Sequence, residues 1–253
     1  MEVVLPLFLF GLGATLASFM LVVAERMHTG ESWRAGRSRC NSCAHELGPL
    51  DLIPVLSWLL SGGKCRRCGS RVPAAYLVAE ALLGSLFVVA YLVTGLSIAL
   101  PVLLACLALL LALVAYDLRH MMLPSGLSWP LILLSLLYAY LVAPTSYELG
   151  VVLLTSGLVA AFFFAFHVAS GGRAMGLGDA PLGAALALIA GPLAFSGVIY
   201  SFWIGGVIGI FVLLARAPGT RIGIEVPFAP FLAAGSLLAL FTSWDILYII
   251  GIS

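Results

Sequence analysis

The chain has 253 residues and a formal net charge of +1; 62% of its residues are hydrophobic and 9% are charged. A soluble globular chain carries about 25% charged residues, so this one cannot keep a folded surface wet, and most of that surface must face lipid. The net charge says nothing about nucleic acid, and no basic tract long enough for a DNA or RNA site appears, so none is expected as a partner.

A membrane helix needs about 20 mainly apolar residues, and the first such run covers 3–24. It follows Glu2, and its basic flank comes after it, so it reads as a span and not as a cleavable signal peptide. Its small residues Gly11, Gly13, Ala14, Ala17 and Ser18 favour close helix packing. Residues 25–72 then form the one long polar segment, with Cys40-Asn-Ser-Cys43 and Cys65-Arg-Arg-Cys68 separated by 21 residues. Two knuckles of this kind bring four thiolates together, which suits a tetrahedral, structural Zn²⁺ with no open position. Arg39, Lys64, Arg66 and Arg67 would favour the thiolate forms and offset the charge of the cluster. The alternatives are two labile disulfides or idle thiols; a cytoplasmic loop disfavours disulfides. His45 and Glu46 read as solvated loop residues beside the cluster. The run from Asp51 to Leu60 is too short to cross and too apolar to float free, and reads as an interfacial segment anchored by Trp58.

Further spans are predicted over 73–95, 98–117, 127–143, 149–169, 180–194, 196–215 and 227–249. The sixth and seventh form a tight pair around Gly191 and Pro192, which leaves a seven-span count open. Cys106, in mid-span, reads as a small lipid- or helix-facing residue. The basic residues test the count. Eight of the twelve lie between Arg26 and Arg71, and the others are Arg119, Arg173, Arg216 and Arg221. With eight spans all of them fall on one side, while Glu2, Glu148 and Asp245 fall on the other. The positive-inside rule makes the basic side cytoplasmic and puts both termini outside. The expected architecture is therefore an all-α polytopic membrane protein of about eight transmembrane helices with a small zinc-binding cytoplasmic loop domain. Its N-terminal region is 1–95, including the loop 25–72, and a six-span domain covers 96–253.

Acids within apolar spans are costly and point to function. Glu25, Glu80, Asp117 and Asp179 lie near span ends on the basic side, and Glu225 lies in the last basic loop. Asp117 ends a nearly unbroken apolar run, where a carboxylate opposes the helix dipole. Its plain alternative is a salt bridge to Arg119 or another loop. Asp179 follows Gly176-Leu177-Gly178 and precedes Ala180-Pro181, a setting that also suits a helix N-cap. The glycines Gly176 and Gly178 would let a substrate backbone approach. Two carboxylates at one depth can share a proton, activate water and protonate a leaving amine, the arrangement of an aspartic protease.

Together these motifs resemble the bacterial prepilin peptidases. The resemblance runs from Ser18-Phe19 to Arg26, through Gly30-Glu31-Ser32, Arg37-Ser-Arg-Cys40-x-x-Cys43, Asp51-x-Ile53-Pro54-Val55-Leu56-Ser57-Trp58, Cys65-Arg-x-Cys68-Gly69 and Tyr76-Leu-Val-Ala-Glu80. It continues through Asp117 to Leu123-Pro124, Gly176-Leu-Gly178-Asp179 and Pro227-Phe228-Ala229-Pro230-Phe231-Leu232, covering almost the whole chain. The resemblance implies an intramembrane aspartic endopeptidase that removes the leader of type IV prepilins and pseudopilins, with Asp117 and Asp179 as its catalytic pair. It also implies methylation of the new N-terminus by S-adenosylmethionine. Glu80 is a candidate contact near the cysteine loop, with pairing to an arginine such as Arg26 or Arg71 the equally plain alternative. Partners would be the prepilin substrates and the bilayer of a bacterial inner membrane. Leu21 stands where that family usually has Asn, and Pro181 where it usually has Lys. The competing reading is a zinc-stapled membrane scaffold or transporter without catalysis, in which Asp117 is an ion-pair partner and Asp179 a helix cap.

Overall fold

The computed structural model describes residues 3–30, 32, 36–173, 175–215 and 226–249. Glu2, Glu31, Arg216, Arg221 and Glu225 lie outside the described residues. Among those described, all regular structure is helical apart from two isolated bridges. Eight helices have twelve residues or more: α1 (Val4–Thr29), α3 (Ala74–Thr94), α4 (Leu100–His120), α5 (Ser125–Val142), α6 (Ser146–Ser170), α7 (Asp179–Ala190), α8 (Ala194–Leu214) and α9 (Ala229–Thr242). Short helices α2 (Leu56–Leu60) and α10 (Ile246–Ile249) complete the set. The order is the one the hydropathy predicts, but the sixth and last predicted spans are shorter than expected. At 1.5 Å per residue, α7 is about 18 Å long and α9 about 21 Å, against a hydrocarbon core of about 30 Å. The last predicted span is divided by a break after Ser243, which sits in the left-handed region with φ 54°.

The chain forms two compact units, Met1–Leu96 with Leu107–Ala112, and Ser97–Cys106 with Leu113–Ser253. In the first, α1 and α3 cross through glycines. A Cβ on Gly13 would lie 2.8 Å from the Leu83 carbonyl oxygen, and one on Gly84 would lie 2.8 Å from that of Phe10. Such close backbone approach is how helices associate where apolar burial gives no driving force. Helix α1 ends at Gly30 in the left-handed cap conformation, with Arg26 and His28 in its last turn where they complement the helix dipole.

In the second unit, α7 is the enclosed element: ten of its twelve residues are buried, and most of them are Ala, Gly or Leu. Phe163 of α6 lies against Gly183 of α7, where a Cβ would be 2.6 Å from the ring, and also against Phe202 of α8. Gly183 and Phe202 are therefore level with one another, and the chain reverses at Gly191–Leu193, where Gly191 has φ 57°. The apolar run thus holds two antiparallel helices. The Ser156 hydroxyl donates to the Ala184 carbonyl at 2.9 Å, so this packing leaves a buried hydroxyl satisfied. Helix α9 runs back along α8, with Gly235 seated directly on the backbone and hydroxyl of Ser201. At the far end, Ser196 donates to Asp245 at 2.7 Å and accepts from the Ile246 N–H at 3.1 Å. Cys106 is fully buried and its sulfur faces the Ser135 hydroxyl at 3.9 Å, so it faces a helix and not lipid.

Candidate active site and metal centre

The last turn of α4 and the first residue of α7 each present a buried carboxylate. Asp117 and Asp179 are both 6% exposed. One oxygen of Asp117 accepts the buried N–H of Ala229, the first residue of α9, at 3.2 Å. One oxygen of Asp179 accepts the Gly176 N–H at 3.0 Å. The side chain of Asp179 thus folds back on its own glycine turn and makes no cap bond to α7. The Asp117 and Asp179 carboxylates lie close enough for their charges to act on one another.

The glycine turn is held from two sides. A Cβ on Gly178 would lie 2.7 Å from the Cβ of Leu123, on the loop that follows Asp117. The missing side chain of Gly178 therefore lets the two aspartate-bearing loops pack together. Gly176 has the Asp179 carboxylate 3.4 Å from where its Cβ would be. From α6, the Nδ1–H of His167 donates to the Met175 carbonyl at 2.9 Å, and its ring lies within electrostatic reach of Asp179. Phe163, Phe202 and Phe228 pack beside Ala229 with ring centroids 5.2–6.4 Å apart. His167 was not singled out from sequence, and Ala229 entered only within the Pro227–Leu232 stretch without a role: a lone helical His carries no signal, and a backbone N–H can belong to any residue type.

The first unit holds a separate cluster. The Sγ atoms of Cys40, Cys43, Cys65 and Cys68 all lie within 4.8 Å of one another. In tetrahedral zinc thiolate the sulfurs are roughly 3.8 Å apart, from Zn–S bonds of ~2.3 Å, and Cys40 and Cys68 stand at 3.9 Å. The two knuckles are built alike. The Cys40 N–H donates to the His45 carbonyl at 2.8 Å and the Ala44 N–H to the Cys40 carbonyl at 2.9 Å. The Cys65 N–H donates to Ser70 at 2.8 Å and the Gly69 N–H to Cys65 at 2.9 Å. Ala44 and Gly69 occupy the same left-handed position, with φ 57° and 72°. Against the His45 N–H, burial and the neighbouring thiols push the Cys43 thiol up to about 11. Two other sulfurs face donors: N–H groups of Cys43 and Ser42 and the Ser70 hydroxyl bring the Cys40 thiol down to about 6. The Ser70 hydroxyl and N–H likewise lower Cys68. A four-thiol site with these donors can hold a metal ion. His45 and Glu46 stay outside it, bound to Arg67 at 2.9 Å and Arg37 at 3.2 Å.

Glu80, six residues into α3, is 7% exposed and accepts the Val55 N–H at 2.7 Å. Val55 is the centre of a tight turn with φ 63° and ψ −54°, closed by the Leu56 N–H donating to the Pro54 carbonyl at 2.6 Å. This is the strained form of the γ-turn, unusual for a β-branched residue. Trp58 corrects the sequence reading. It does not reach outward as a membrane anchor; its Nε1–H donates to the Val72 carbonyl at 3.2 Å and its ring covers Gly63. Beside these residues a cavity of about 730 Å³ is lined by Leu21, Glu25, Cys40, Trp58, Tyr76 and Glu80, among others. Leu21 is one of its buried walls.

The fold and site define a polytopic α-helical membrane protein with a pair of buried aspartates in one unit and a four-cysteine centre in the other. Residues 11–94 match the family model described as the bacterial peptidase A24 N-terminal domain, and residues 104–214 match that of the type IV leader peptidase family. The prepilin leader peptidase/N-methyltransferase of Bacillus subtilis (strain 168) is 33% identical over 237 residues, 92% of each chain. The protein of the same name from Dichelobacter nodosus is 33% identical over 203 residues, 79% of this chain and 69% of its own. The type 4 prepilin-like proteins leader peptide-processing enzyme of Escherichia coli O78:H11 is 29% identical over 211 residues, 81% of this chain and 75% of its own. No solved structure matches. This chain belongs to the type IV leader peptidase family, and it is an enzyme.

Proposed function

We propose that this chain is a membrane-embedded aspartic endopeptidase that removes the leader from type IV prepilins and pseudopilins, with Asp117 and Asp179 as its catalytic pair. The observation that carries the reading is the pair itself: two buried carboxylates from distant segments, each held by one backbone N–H, within reach of one another's charge. One carboxylate takes a proton from a water molecule as its oxygen attacks the scissile carbonyl carbon. The other, protonated, donates a hydrogen bond to the carbonyl oxygen, and a proton then passes to the departing amine. The titration belongs to the pair as a unit. Incubation with a prepilin, read by mass spectrometry, tests this. Asp117→Asn and Asp179→Asn should each cut cleavage by roughly 10²–10⁴-fold, the usual contribution of a positioned acid or base. Their combination should be little worse, because groups that act together are not additive. Retention of substantial cleavage by either correctly inserted variant would defeat the mechanism.

The four thiolates fit Zn²⁺ in a structural role, since four protein ligands leave no position for water. The cavity beside Glu80 is the proposed site of S-adenosylmethionine, with Glu25, Asp51 and Glu80 in its lining, Asp51 bound to Arg66 and Glu80 to the Val55 N–H, and Trp58 and Tyr76 as apolar walls. When bound, that cofactor supplies a methyl group to an amine. The chain's part is to hold the cofactor and the new pilin N-terminus together in the N-terminal region, 1–95, while the six-span region 96–253 cleaves. Product that gains no methyl at saturating cofactor, while cleavage proceeds, would remove this second activity and make Leu21 and Pro181 the first residues to revert. The localisation proposed is a bacterial inner membrane with the cysteine loop and aspartates on the cytoplasmic side and both termini outside.

A further inference from the structure

The segment between the two cysteine knuckles exposes an unusual run of apolar side chains. Leu50, Leu52, Ile53, Leu56, Leu59 and Leu60 are 40–79% exposed, although they belong to the polar loop and to no membrane-spanning helix. Its one aromatic residue is turned inward, as described, so the exposed face is aliphatic. Two bonds fix the depth of this face. The Val55 N–H is held by Glu80, two turns inside α3, and the Trp58 indole is held by Val72, just before α3 begins. At that level α3 itself exposes Val78 and Leu82, at 61% and 49%. Side chains that are apolar and exposed on a membrane span face lipid. The leucine segment therefore lies alongside the lipid-facing start of α3, at the depth where acyl chains meet headgroups. Just after it in the chain, Lys64 is paired with Arg71 in a β-bridge; both are exposed, and both also border the cavity of the N-terminal unit. Arg71 stands three residues before α3. An aliphatic face backed by cations at the interface matches anionic phospholipid, with the leucines among the acyl chains and the cations at the phosphates.

We propose that Pro49–Leu60 is a lipid-docking element that inserts its leucines into the adjoining leaflet and recruits anionic phospholipid through Lys64 and Arg71. Leu52, Ser57 and Trp58 of this element, with Ser61 just after it, line the cavity of the N-terminal unit, so the element ties one wall of that cavity to the bilayer surface. This inference does not depend on the peptidase reading.

The test uses the full-length, metal-loaded protein with an environment-sensitive fluorescent amino acid replacing Leu60, whose 79% exposure makes the change benign. A second sample carries it in place of exposed Arg67, beside the cysteine cluster. Both are reconstituted into vesicles containing acyl-brominated phosphatidylcholine or, at equal mole fraction, acyl-brominated phosphatidylglycerol. Position 60 should be blue-shifted and quenched, more strongly by the brominated phosphatidylglycerol, while position 67 is not quenched. Lys64→Gln with Arg71→Gln should abolish the difference between the lipids and leave the quenching itself. The proposal is overturned if position 60 behaves like position 67, or if the two headgroups quench it equally in the unaltered basic background. It is also overturned if position 60 is unquenched until a prepilin is removed, which would assign the face to peptide.

Discussion

Gly178 and Leu123 meet through an atom that is not there. Gly178 lacks the Cβ that would otherwise sit 2.7 Å from the Cβ of Leu123, far inside the contact distance of two carbons. Gly178→Ala should push the two aspartate loops apart and lower cleavage at least ~10-fold, on the scale expected when positioned groups are misplaced by an ångström. Leu123→Gly, which deletes the opposing Cβ, should restore part of that loss in the double variant. If Gly178→Ala cleaves normally, the glycine serves only substrate approach. At this scale the acids themselves were legible in the sequence, because a carboxylate in an apolar run is expensive and has few plain explanations. Their partners were not. The Ala229 N–H that holds Asp117 comes from 112 residues away, and an amide donor leaves no mark on residue type. The turn at Val55 was equally hidden, since a β-branched residue argues against positive φ.

Helices show the same division. Hydropathy located the helices in order and read a tight pair around Gly191 and Pro192, but it left a seven-span count open, because Gly-Pro-Leu is as apolar as its neighbours; the turn at Gly191–Leu193 separates two helices. Trp58 was misread for a related reason: an amphipathic ring suits either an interface or an inward hydrogen bond, and the Val72 carbonyl decides between them. The cysteine loop was legible because thiolate spacing is a strong constraint. Its two knuckles carry matching backbone bonds, so each half is shaped locally, and across the 21 residues between Cys43 and Cys65 the halves meet through the Arg67–His45 bond and the four thiols that would share a metal. Stripping the metal with a chelator, or Cys40→Ser, should free the segment 44–64 to limited proteolysis and abolish methyl transfer. Cleavage should fall much less, because Asp117, Asp179 and Ala229 all lie outside that loop. Loss of cleavage in parallel with metal would show that the two activities share one scaffold.

Across the whole molecule, the one-sided distribution of basic residues remains the argument for orientation. Cysteine substitutions near Glu148 should react with an impermeant reagent added from outside the cell, whereas substitutions near Arg119 should react only after the membrane is opened. Outside labelling at Arg119 would invert the proposed topology. The cysteine-bearing and aspartate-bearing units use different physics. The first adds thiols and backbone turns to a glycine-mediated helix crossing; the second is closed by glycines and small side chains around the enclosed helix α7.

The shortness of α9 has a consequence for the enzyme's surroundings. A helix of about 21 Å leaves a shortfall of nearly a third against a hydrocarbon layer of about 30 Å, and α9 exposes Leu238 on its outer side. The lipid around it must thin or tilt to meet it, at a cost of fractions of a kcal/mol per ångström of mismatch. That cost falls on the element whose first residue holds Asp117. Bilayer thickness is therefore a control variable for this site: activity should rise as acyl chains are shortened from C18 toward C14 and fall in thicker, C22 bilayers, at constant headgroup and temperature. A flat activity profile over that series would mean that the bilayer adapts to α9 without loading the site.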